Sequence, residues 1–434
     1  MSILLNPAVI SIFLLCILCL KRVNVLLAII ISTITAGLMS GLDIKQVMDT
    51  FIAGMGGNSE TALSYILLGM FAAVMNHTGL TDIITQNIIK IIKNRCQILF
   101  LILIIISMAS QNIMPIHIAF IPILIPPLIP IMNQLNIDRR LISCILAFGL
   151  NAPYITIPAG FGLIFHSLIA ENIKQNGMDV ARTEVWQYNW ILGIGMVVAL
   201  LVAMFVSYRR PRTYKNIDVE EEHIKVVKFN RRHLITILAG VVTFAVQLVT
   251  GSLPLGALIG LGMIFSLGAV KHSKMDKLMD EGIYLMGYVA FVMLVASGFA
   301  TVLKSTGGID SLIHSTVSVL PDSQILTALI MLLLGLLITI GIGTSFGTIP
   351  ILAVVFVPVC IKMGFNVAQT VVVLSAAATL GDAGSPASDT TLGPTSGLNV
   401  DGQHNHIADT CIPTFIHYNT ALIIFALIGV MIFA

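Results

Sequence analysis

Two aspartates flank an interruption in an apolar part of the chain. Asp382 and Asp389 belong to GDAGSPASDTT, residues 381–391, which directly follows the apolar run VVVLSAAATL. Two glycines and a proline in this stretch prevent a continuous helix, so they free backbone N–H and C=O groups. Within a membrane such groups persist only beside protein or a watery cavity. The stretch therefore predicts a polar site at membrane depth.

Hydroxyl side chains surround the two carboxylates, at Ser385, Ser388, Thr390 and Thr391. Hydroxyl and carboxylate oxygens are hard ligands that suit Na⁺ or H⁺, or the hydrogen bonds of a polar substrate. A charged side chain at the bilayer centre costs about 2.5–3.5 kcal/mol on insertion scales, so it is usually paired, neutralised or functional. The alternative is helix capping, with Asp389 or Ser385 as the N-cap of a helix that restarts after the break. The two roles can coexist.

A second pair of interruptions precedes the aspartates. GIGTSFGTIPIL, from Gly341, and SQNIMPIHIAF, from Ser110, are predicted to form the tips of re-entrant hairpins. Exposed backbone N–H groups at the first tip could face an anionic group, with hydroxyls added by Thr344, Ser345 and Thr348. Close packing of helices through small residues is the alternative for this tip.

The first half of the chain has a matching break without an acid. FGLNAPYITIPAGFG, residues 148–162, repeats the Gly and Pro interruption and offers Asn151 and Thr156 as substrate contacts. Two related breaks with one charged member predict an asymmetric ion site. Glu60, in GMGGNSETALSY, is a third acid within an apolar segment. A proton-linked role and a boundary position near a turn both remain open for it.

A polar segment follows the second break, DGQHNHIADTCIPTFIHYN at residues 401–419. His404 and His406 lack the further spaced ligands that a transition metal needs, so no metal site is predicted. With His417 they titrate near neutral pH and could relay protons. The segment is predicted to be a solvated loop that leads into the last helix.

The composition indicates that membrane-spanning helices position these residues. Of the 434 residues 57% are hydrophobic and only 10% are charged, with a mean hydropathy of +0.97. Apolar runs of about 18 or more residues recur along the chain, and these runs lack strand alternation. This pattern predicts an all-α polytopic membrane protein. The net charge of +2 gives no indication of a nucleic-acid partner.

One charged segment divides the chain nearly in half. Residues 207–233 hold eight of the 23 Lys and Arg residues, which predicts a cytoplasmic linker by the positive-inside rule. The predicted units are a first transmembrane repeat at 1–207, a linker at 208–233 and a second repeat at 234–434. The aromatic cluster VWQYNW, with Trp186 and Trp190, is predicted at the outer interface.

The two halves resemble each other in order. MDTFIAGMG and MDEGIYLMG are 231 residues apart, while FAAVMNHTGLTD and FATVLKSTGGID, like IPILIPPLIP and IPILAVVFVP, are 228 apart. Matches in the same order, two of them at an identical offset, indicate duplication. Basic residues of the first half correspond to uncharged or acidic ones in the second: Lys90, Lys93 and Arg95 match SVLPDSQ. This asymmetry predicts opposite orientations, an inverted repeat with substrate held between broken helices.

GTSFGTIPIL together with GDAGSPASDTT resembles the signature loops of the NhaC-like Na⁺/H⁺ antiporter family of the ion transporter superfamily. The resemblance covers most of the chain, and the continuation LGPTSGLNVDGQHNHIADTCIPTFIHYN is similar to a branch that includes bacterial proteins thought to carry amino acids, histidine among them. It implies broken helices in two inverted repeats, a homodimer, and a cation site. The cation-site positions in this chain are Thr344, Ser345, Asp382, Ser385, Asp389 and Thr390.

This chain departs from the family pattern after the first aspartate. Many antiporters of the family have a larger or charged residue there, whereas this chain has Ala383 and Gly384. The extra room favours a substrate larger than a bare ion.

These observations predict a secondary transporter coupled to Na⁺ or H⁺ that carries a small amino acid such as histidine. Asp382 and Asp389 would bind the ion, and amides and hydroxyls at the breaks, including Ser388 and Thr348, would hold the substrate. The alternative is a Na⁺/H⁺ antiporter without an organic substrate. A channel is disfavoured because long apolar segments separate the polar breaks. An enzyme is disfavoured because HExxH and GxSxG motifs are absent, and no cofactor beyond the ion is predicted.

Overall fold

The structure, a computed structural model, describes residues 6–21, 23–80, 83, 96–112, 121, 124–215, 229–307, 323–342, 344–386 and 388–434. Within these ranges every regular element is helical. Three features of the sequence lie outside them: the basic cluster that contains Lys90, Lys93 and Arg95, residues 216–228 of the charged linker, and most of the predicted hairpin tip after Ser110.

Nine α-helices of the first half are described. They are α1 (Pro7–Leu20), α2 (Val25–Met39), α3 (Ile44–Met55), α4 (Ser59–Thr78), α5 (Cys96–Asn112), α6 (Ile129–Gln134), α7 (Arg139–Thr156), α8 (Phe161–Gln175) and α9 (Val185–Val202), which a π-helical turn extends to Ser207.

The described helices of the second half follow in a similar order. They are α10 (Arg231–Thr250), α11 (Leu253–Ser266), α12 (Met275–Ser305), α13 (Gln324–Ile342), α14 (Ser345–Lys362), α15 (Val367–Thr379), α16 (Asp389–Leu398) and, after further short helical turns, α17 (Thr420–Ile432). The predicted linker at 208–233 is helical from Arg231 on.

Five segments of the described chain are long and apolar enough to cross a membrane. They are Val185–Ser207, Arg231–Thr250, Met286–Ser305, Ser345–Lys362 and His406–Ile432. Helices α7 and α8 form a sixth crossing if they are counted as one span with a 49° bend. These lengths and compositions confirm the prediction of an all-α polytopic membrane protein.

Helix starts in the two halves agree with the sequence repeat. Four helices of the second half each begin 228 residues after a helix of the first half: α2 with α11, α5 with α13, α7 with α15, and α8 with α16. The 228-residue offset therefore relates helices as well as short sequence matches. The opposite orientation of the halves and the re-entrant hairpins stay predictions.

The prediction for the histidine-rich segment is wrong. Residues 406–419 are helical, with π-helical turns at His406–Cys411 and Phe415–Asn419 on either side of Ile412–Thr414. His404, just before them, is only 2% exposed, and its Nε2 lies 2.7 Å from the Thr410 hydroxyl. Polar side chains of this segment form hydrogen bonds within the protein instead of with water. The segment therefore has the composition of a loop, although residues 406–419 form helical turns.

Candidate functional site

The Asp382 carboxyl group lies at the centre of a cluster of hydroxyls. Its side chain is buried, and Oδ2 accepts hydrogen bonds from Tyr154 at 2.9 Å and from Ser345 at 2.5 Å. Oδ1 accepts a hydrogen bond from Ser388 at 2.6 Å. The three donors come from three separate helical segments and from both halves of the chain. Asp382 thus joins the two predicted repeats.

The N-termini of two helices lie beside this carboxylate and favour its negative charge. Ser345 is the first residue of α14, and Ser388 is the N-cap of α16. The N-terminus of a helix carries a partial positive charge, so both ends favour an anion beside them. In the described part of the chain no Lys, Arg or His side chain lies within 4.0 Å of Asp382. Hydroxyls and helix ends therefore stabilise the charge here without a basic partner.

The freed backbone groups of the break are bonded within the protein. The Thr390 hydroxyl donates to the Asp382 carbonyl at 2.9 Å, and Thr391 donates to the Ser385 carbonyl at 2.6 Å. The Gly381 N–H donates to the Asn419 side chain at 3.1 Å. These bonds let an interrupted helix persist at membrane depth.

The N-cap at this break is neither of the two residues that the capping alternative names. Ser388 is the N-cap of α16, and its Oγ accepts the Thr390 N–H at 3.2 Å. The Ser385 hydroxyl donates instead to the Ile340 carbonyl of α13 at 3.0 Å. Asp389 is the first residue of α16 and is half-buried, with its Oδ1 3.5 Å from the Ser388 hydroxyl. Ser388 therefore lies between the two aspartates.

Only one of the three predicted tip hydroxyls reaches the carboxylate. Ser345 does so, whereas the Thr348 hydroxyl donates to the Thr344 carbonyl at 2.7 Å within the first turn of α14. Thr344 stands at the N-cap position, and its side chain makes no capping hydrogen bond.

The two candidates from the first-half break have separate places. Asn151 donates to the Ala147 carbonyl at 2.8 Å, and its Oδ1 lies 3.4 Å from the Tyr154 hydroxyl, so it borders the cluster. Thr156 donates to the Ala152 carbonyl at 2.8 Å and lines an apolar cavity beside Trp190. Thr156 is therefore not part of the hydroxyl cluster.

Sequence reasoning missed Tyr154 and the aromatic side chains around it. Tyr154 packs on Phe346 with ring centroids 5.5 Å apart, and Phe346 packs on Phe161 at 4.8 Å. Tyr65 of α4 lies 5.2 Å from Phe161 and 5.9 Å from Phe346. One signal was present in the sequence, because the repeat offset of 228 places Tyr154 opposite Asp382.

Glu60 lies apart from the hydroxyl cluster. It belongs to the first turn of α4, and its side chain is exposed. It lines a polar cavity together with Glu171 and Arg182. Glu60 is therefore exposed at the start of a helix and is not part of the hydroxyl cluster.

The chemistry of the cluster follows from its donor set. Two carboxylate oxygens and three hydroxyl oxygens are hard ligands of the kind that alkali and alkaline-earth cations prefer. A proton on Asp382 would neutralise the same group. A cation and a proton would therefore compete for one carboxylate.

Two family models match this chain. The model of the Na⁺/H⁺ antiporter family matches residues 145–430, and a second model, described as the Na⁺-H⁺ antiporter family, matches residues 6–92. The first match contains all three hydroxyl donors and both aspartates of the break.

Similar proteins match over nearly their whole lengths. An uncharacterized membrane protein of Vibrio parahaemolyticus is 43% identical over 440 residues, with 98% of this chain and 100% of that protein covered. The candidate amino acid transporter YuiF of Bacillus subtilis is 44% identical over 445 residues, with 98% and 100% covered.

Two solved structures share the fold. The YdaH transporter of Alcanivorax borkumensis matches with a TM-score of 0.61 at 14% identity, covering 98% of both chains. MtrF of Neisseria gonorrhoeae, from a class of antimetabolite efflux pumps, matches with a TM-score of 0.62 at 14% identity, covering 90% of this chain and 85% of that one.

Proposed function

This chain belongs to the Na⁺/H⁺ antiporter family and is a cation-coupled membrane transporter, and from that premise we propose that it couples Na⁺ or H⁺ to the movement of a small amino acid such as histidine. Asp382 is the coupling group. The observation that carries the proposal is the convergence of Tyr154, Ser345 and Ser388 on its carboxylate.

Coupling rests on exclusive occupation of Asp382. The ionised carboxylate accepts three hydroxyl hydrogen bonds, and a Na⁺ ion would require these hydroxyls to turn their lone pairs inward. A proton instead removes the charge that attracts Na⁺. Because the Na⁺-bound state and the protonated state exclude each other, the carboxylate is ionised while Na⁺ crosses and neutral while the proton crosses. Asp389 adds a second negative charge beside Ser388.

An amino acid substrate is supported by the 44% identity to the candidate amino acid transporter YuiF. The N-termini of α14 and α16 would attract the substrate carboxylate, as helix ends at broken helices do in other transporters. Thr344, Thr348, Asn151 and Thr390 border these ends and could adjust to a substrate. We propose that the protein forms a homodimer, because the resemblance to the family implies one.

Na⁺/H⁺ antiport without an organic substrate is the second candidate. The observation that favours it is the tight hydroxyl shell of Asp382, with all three donor distances at or below 2.9 Å. Such a shell fits a small ion directly, whereas a larger substrate needs the shell to open.

Reconstituted liposomes separate the two functions. Counterflow of labelled histidine is measured against a panel of unlabelled amino acids, while an internal pH dye records the response to Na⁺ pulses. Counterflow that competing amino acids reduce, and that Asp382→Asn abolishes, supports the amino acid carrier. A Na⁺-driven pH change without competition by any amino acid supports plain antiport. Neither signal in a correctly inserted protein would contradict both.

A further inference from the structure

A polar cavity of about 60 Å³ lies apart from Asp382. Helices α4 and α8 line it, together with Arg182 from the segment before α9 and Gly251 from the turn between α10 and α11. Its polar side chains include Ser64 and Ser167. A cavity of this size with polar walls has room for several waters or for the charged head of a small molecule.

Charges of both signs line this cavity. Glu60 and Glu171 contribute carboxylates and Arg182 a guanidinium, and both Glu60 and Arg182 act electrostatically on Glu171. Among the residues that the structure describes, none of the three side chains forms an ion pair within 4.0 Å. Opposite charges held near each other without pairing can bind the two ends of a zwitterion.

The guanidinium is held by a glycine that no other residue can replace without strain. Arg182 Nη1 donates to the Gly251 carbonyl at 2.9 Å. Gly251 has φ of +69°, and a Cβ built there would lie only 2.4 Å from Arg182 Nη2. The backbone conformation and the missing side chain both favour glycine here. This turn therefore fixes the basic group at the cavity wall.

An aromatic layer connects the cavity with the hydroxyl cluster. Ser64 of α4 lines the cavity, and the next residue, Tyr65, packs on Phe161 of α8 with ring centroids 5.2 Å apart. Both rings contact Phe346, which follows Ser345 in the chain. The same two helices that line the cavity thus contribute rings that contact Phe346, the chain neighbour of the Asp382 donor Ser345.

We infer that this cavity is a receiving site for the head group of an α-amino acid. Arg182 binds the α-carboxylate, Glu60 and Glu171 bind the α-ammonium, and the aromatic layer is the gate that the substrate passes to reach Asp382. The inference rests on the proposed amino acid transport and adds a second binding site to it. Two carboxylates and one guanidinium give a formal charge of one negative unit, which excludes anions. The guanidinium disfavours a bare cation.

Calorimetric titration of the purified full-length protein tests this site. Each standard L-amino acid is titrated, and the tightest binder is compared with its decarboxylated amine, which lacks only the carboxylate. The Asp382→Asn protein is titrated in parallel, because binding that survives this change does not depend on the hydroxyl cluster. Asp179→Asn is the matched control, since Asp179 is exposed on the neighbouring segment and is not part of the cavity.

The expected pattern distinguishes the two charges of the ligand. Arg182→Gln should weaken binding of the amino acid about tenfold or more, because a charge-assisted hydrogen bond is lost. It should leave the affinity for the amine undiminished or higher, because the guanidinium repels a cation. Glu171→Gln should weaken the binding of both the amino acid and the amine, because both carry the ammonium group. The inference would be overturned if Arg182→Gln lost affinity equally for the amino acid and the amine, or lost none for either. It would also be overturned if no protein showed saturable amino acid binding.

Liposome counterflow keeps the two proposals apart. Amino acid counterflow with an unchanged half-saturating concentration in Arg182→Gln would refute the receiving site and leave the transport function standing. Binding with the expected pattern but no counterflow would refute transport and leave the cavity as an amino acid site.

Discussion

The Tyr154 hydroxyl donates to Asp382 Oδ2 at 2.9 Å, and these residues are 228 positions apart, the offset that relates the sequence repeats. Corresponding positions of the two breaks therefore meet at one hydrogen bond. One half contributes the carboxylate and the other a neutral donor. Relative movement of the halves would alter this bond, so the charge state of Asp382 and the movement would affect each other.

Replacing Tyr154 with Phe removes one donor from the ionised carboxylate. A hydrogen bond to a charged group contributes about 1.5–3 kcal/mol, and one pH unit corresponds to about 1.4 kcal/mol. We therefore expect the pH of half-maximal transport to rise by about one unit or more, measured with an internal pH dye in liposomes. Tyr65→Phe is the control, because that hydroxyl makes no hydrogen bond to Asp382 among the described residues. Equal shifts in both variants would contradict the role of Tyr154.

Two serines of the same break allow a matched comparison. The Ser388 hydroxyl contacts the Asp382 carboxylate at 2.6 Å, whereas the Ser385 hydroxyl donates to the Ile340 carbonyl at 3.0 Å. Ser388→Ala should raise the Na⁺ concentration for half-maximal transport about tenfold. Ser385→Ala should lower the thermal unfolding temperature and leave that concentration within about twofold. The reverse pattern would move the ion site away from Ser388.

Asp389 is expected to assist Asp382 without replacing it. Its carboxylate is half-buried and lies next to Ser388. Asp389→Asn removes one nearby negative charge, so Na⁺ affinity should fall about tenfold while the proton response through Asp382 persists. The Na⁺ dependence of transport is measured at two pH values in Asp389→Asn and in Asp382→Asn. Complete loss in Asp389→Asn with normal transport in Asp382→Asn would reverse the assigned roles.

The carboxylate, the break and two of its three hydroxyl donors could be predicted from the sequence. Hydroxyls and acids next to Gly and Pro are rare in apolar segments, so Ser345 and Ser388 were both candidates. Ser345 was a tip hydroxyl that the family resemblance made a cation-site position, and Ser388 was a hydroxyl near the aspartates that was expected to hold the substrate. Tyr154 was not a candidate, because a tyrosine in an apolar helix resembles a core residue. Its role depends on a contact across 228 positions, which only the packing of two helices creates.

Errors of the sequence reasoning have local physical causes. The capping alternative named Asp389 or Ser385 as the N-cap of α16, but Ser388 occupies that position, because the hydroxyl one residue before the helix reaches the Thr390 N–H. His404 was expected in solvent, yet its ring is buried against Thr410 and Ser143. Polar composition indicates hydrogen bonding but does not say whether water or protein provides the partners.

A buried ion pair connects the two halves away from Asp382. Arg139, at the start of α7, is fully buried and donates to both carboxylate oxygens of Asp401 at 2.6 and 2.5 Å. Its guanidinium also donates to the Leu398 carbonyl and lies 4.2 Å from the ring centre of Tyr214. Tyr214 belongs to the first part of the predicted linker, which therefore packs on this pair.

Loss of this pair should destabilise the fold strongly. Removal of one partner leaves a buried charge unpaired, and for Asp401→Asn we expect a loss of about 3–5 kcal/mol in the free energy of unfolding. Thermal unfolding of the protein in detergent measures it. Asp179→Asn is the control, because the ion pair of Asp179 with Lys174 is exposed, with a separation of 3.8 Å. Similar unfolding temperatures for Asp401→Asn and the wild type would contradict the structural role.

The same pair predicts the acid limit of stability. Burial raises the pKa of Asp401, but hydrogen bonds from Arg139 and Gln403 outweigh it, so the pKa lies below its usual value. A carboxyl group whose pKa is lowered by folding stabilises the protein fully above the unfolded value of about 3.9. This contribution is lost as pH falls through the folded value. The difference in unfolding temperature between wild type and Asp401→Asn should therefore be constant from pH 7 to about pH 5 and shrink below about pH 4. A difference that shrinks already near neutral pH would show that another group controls it.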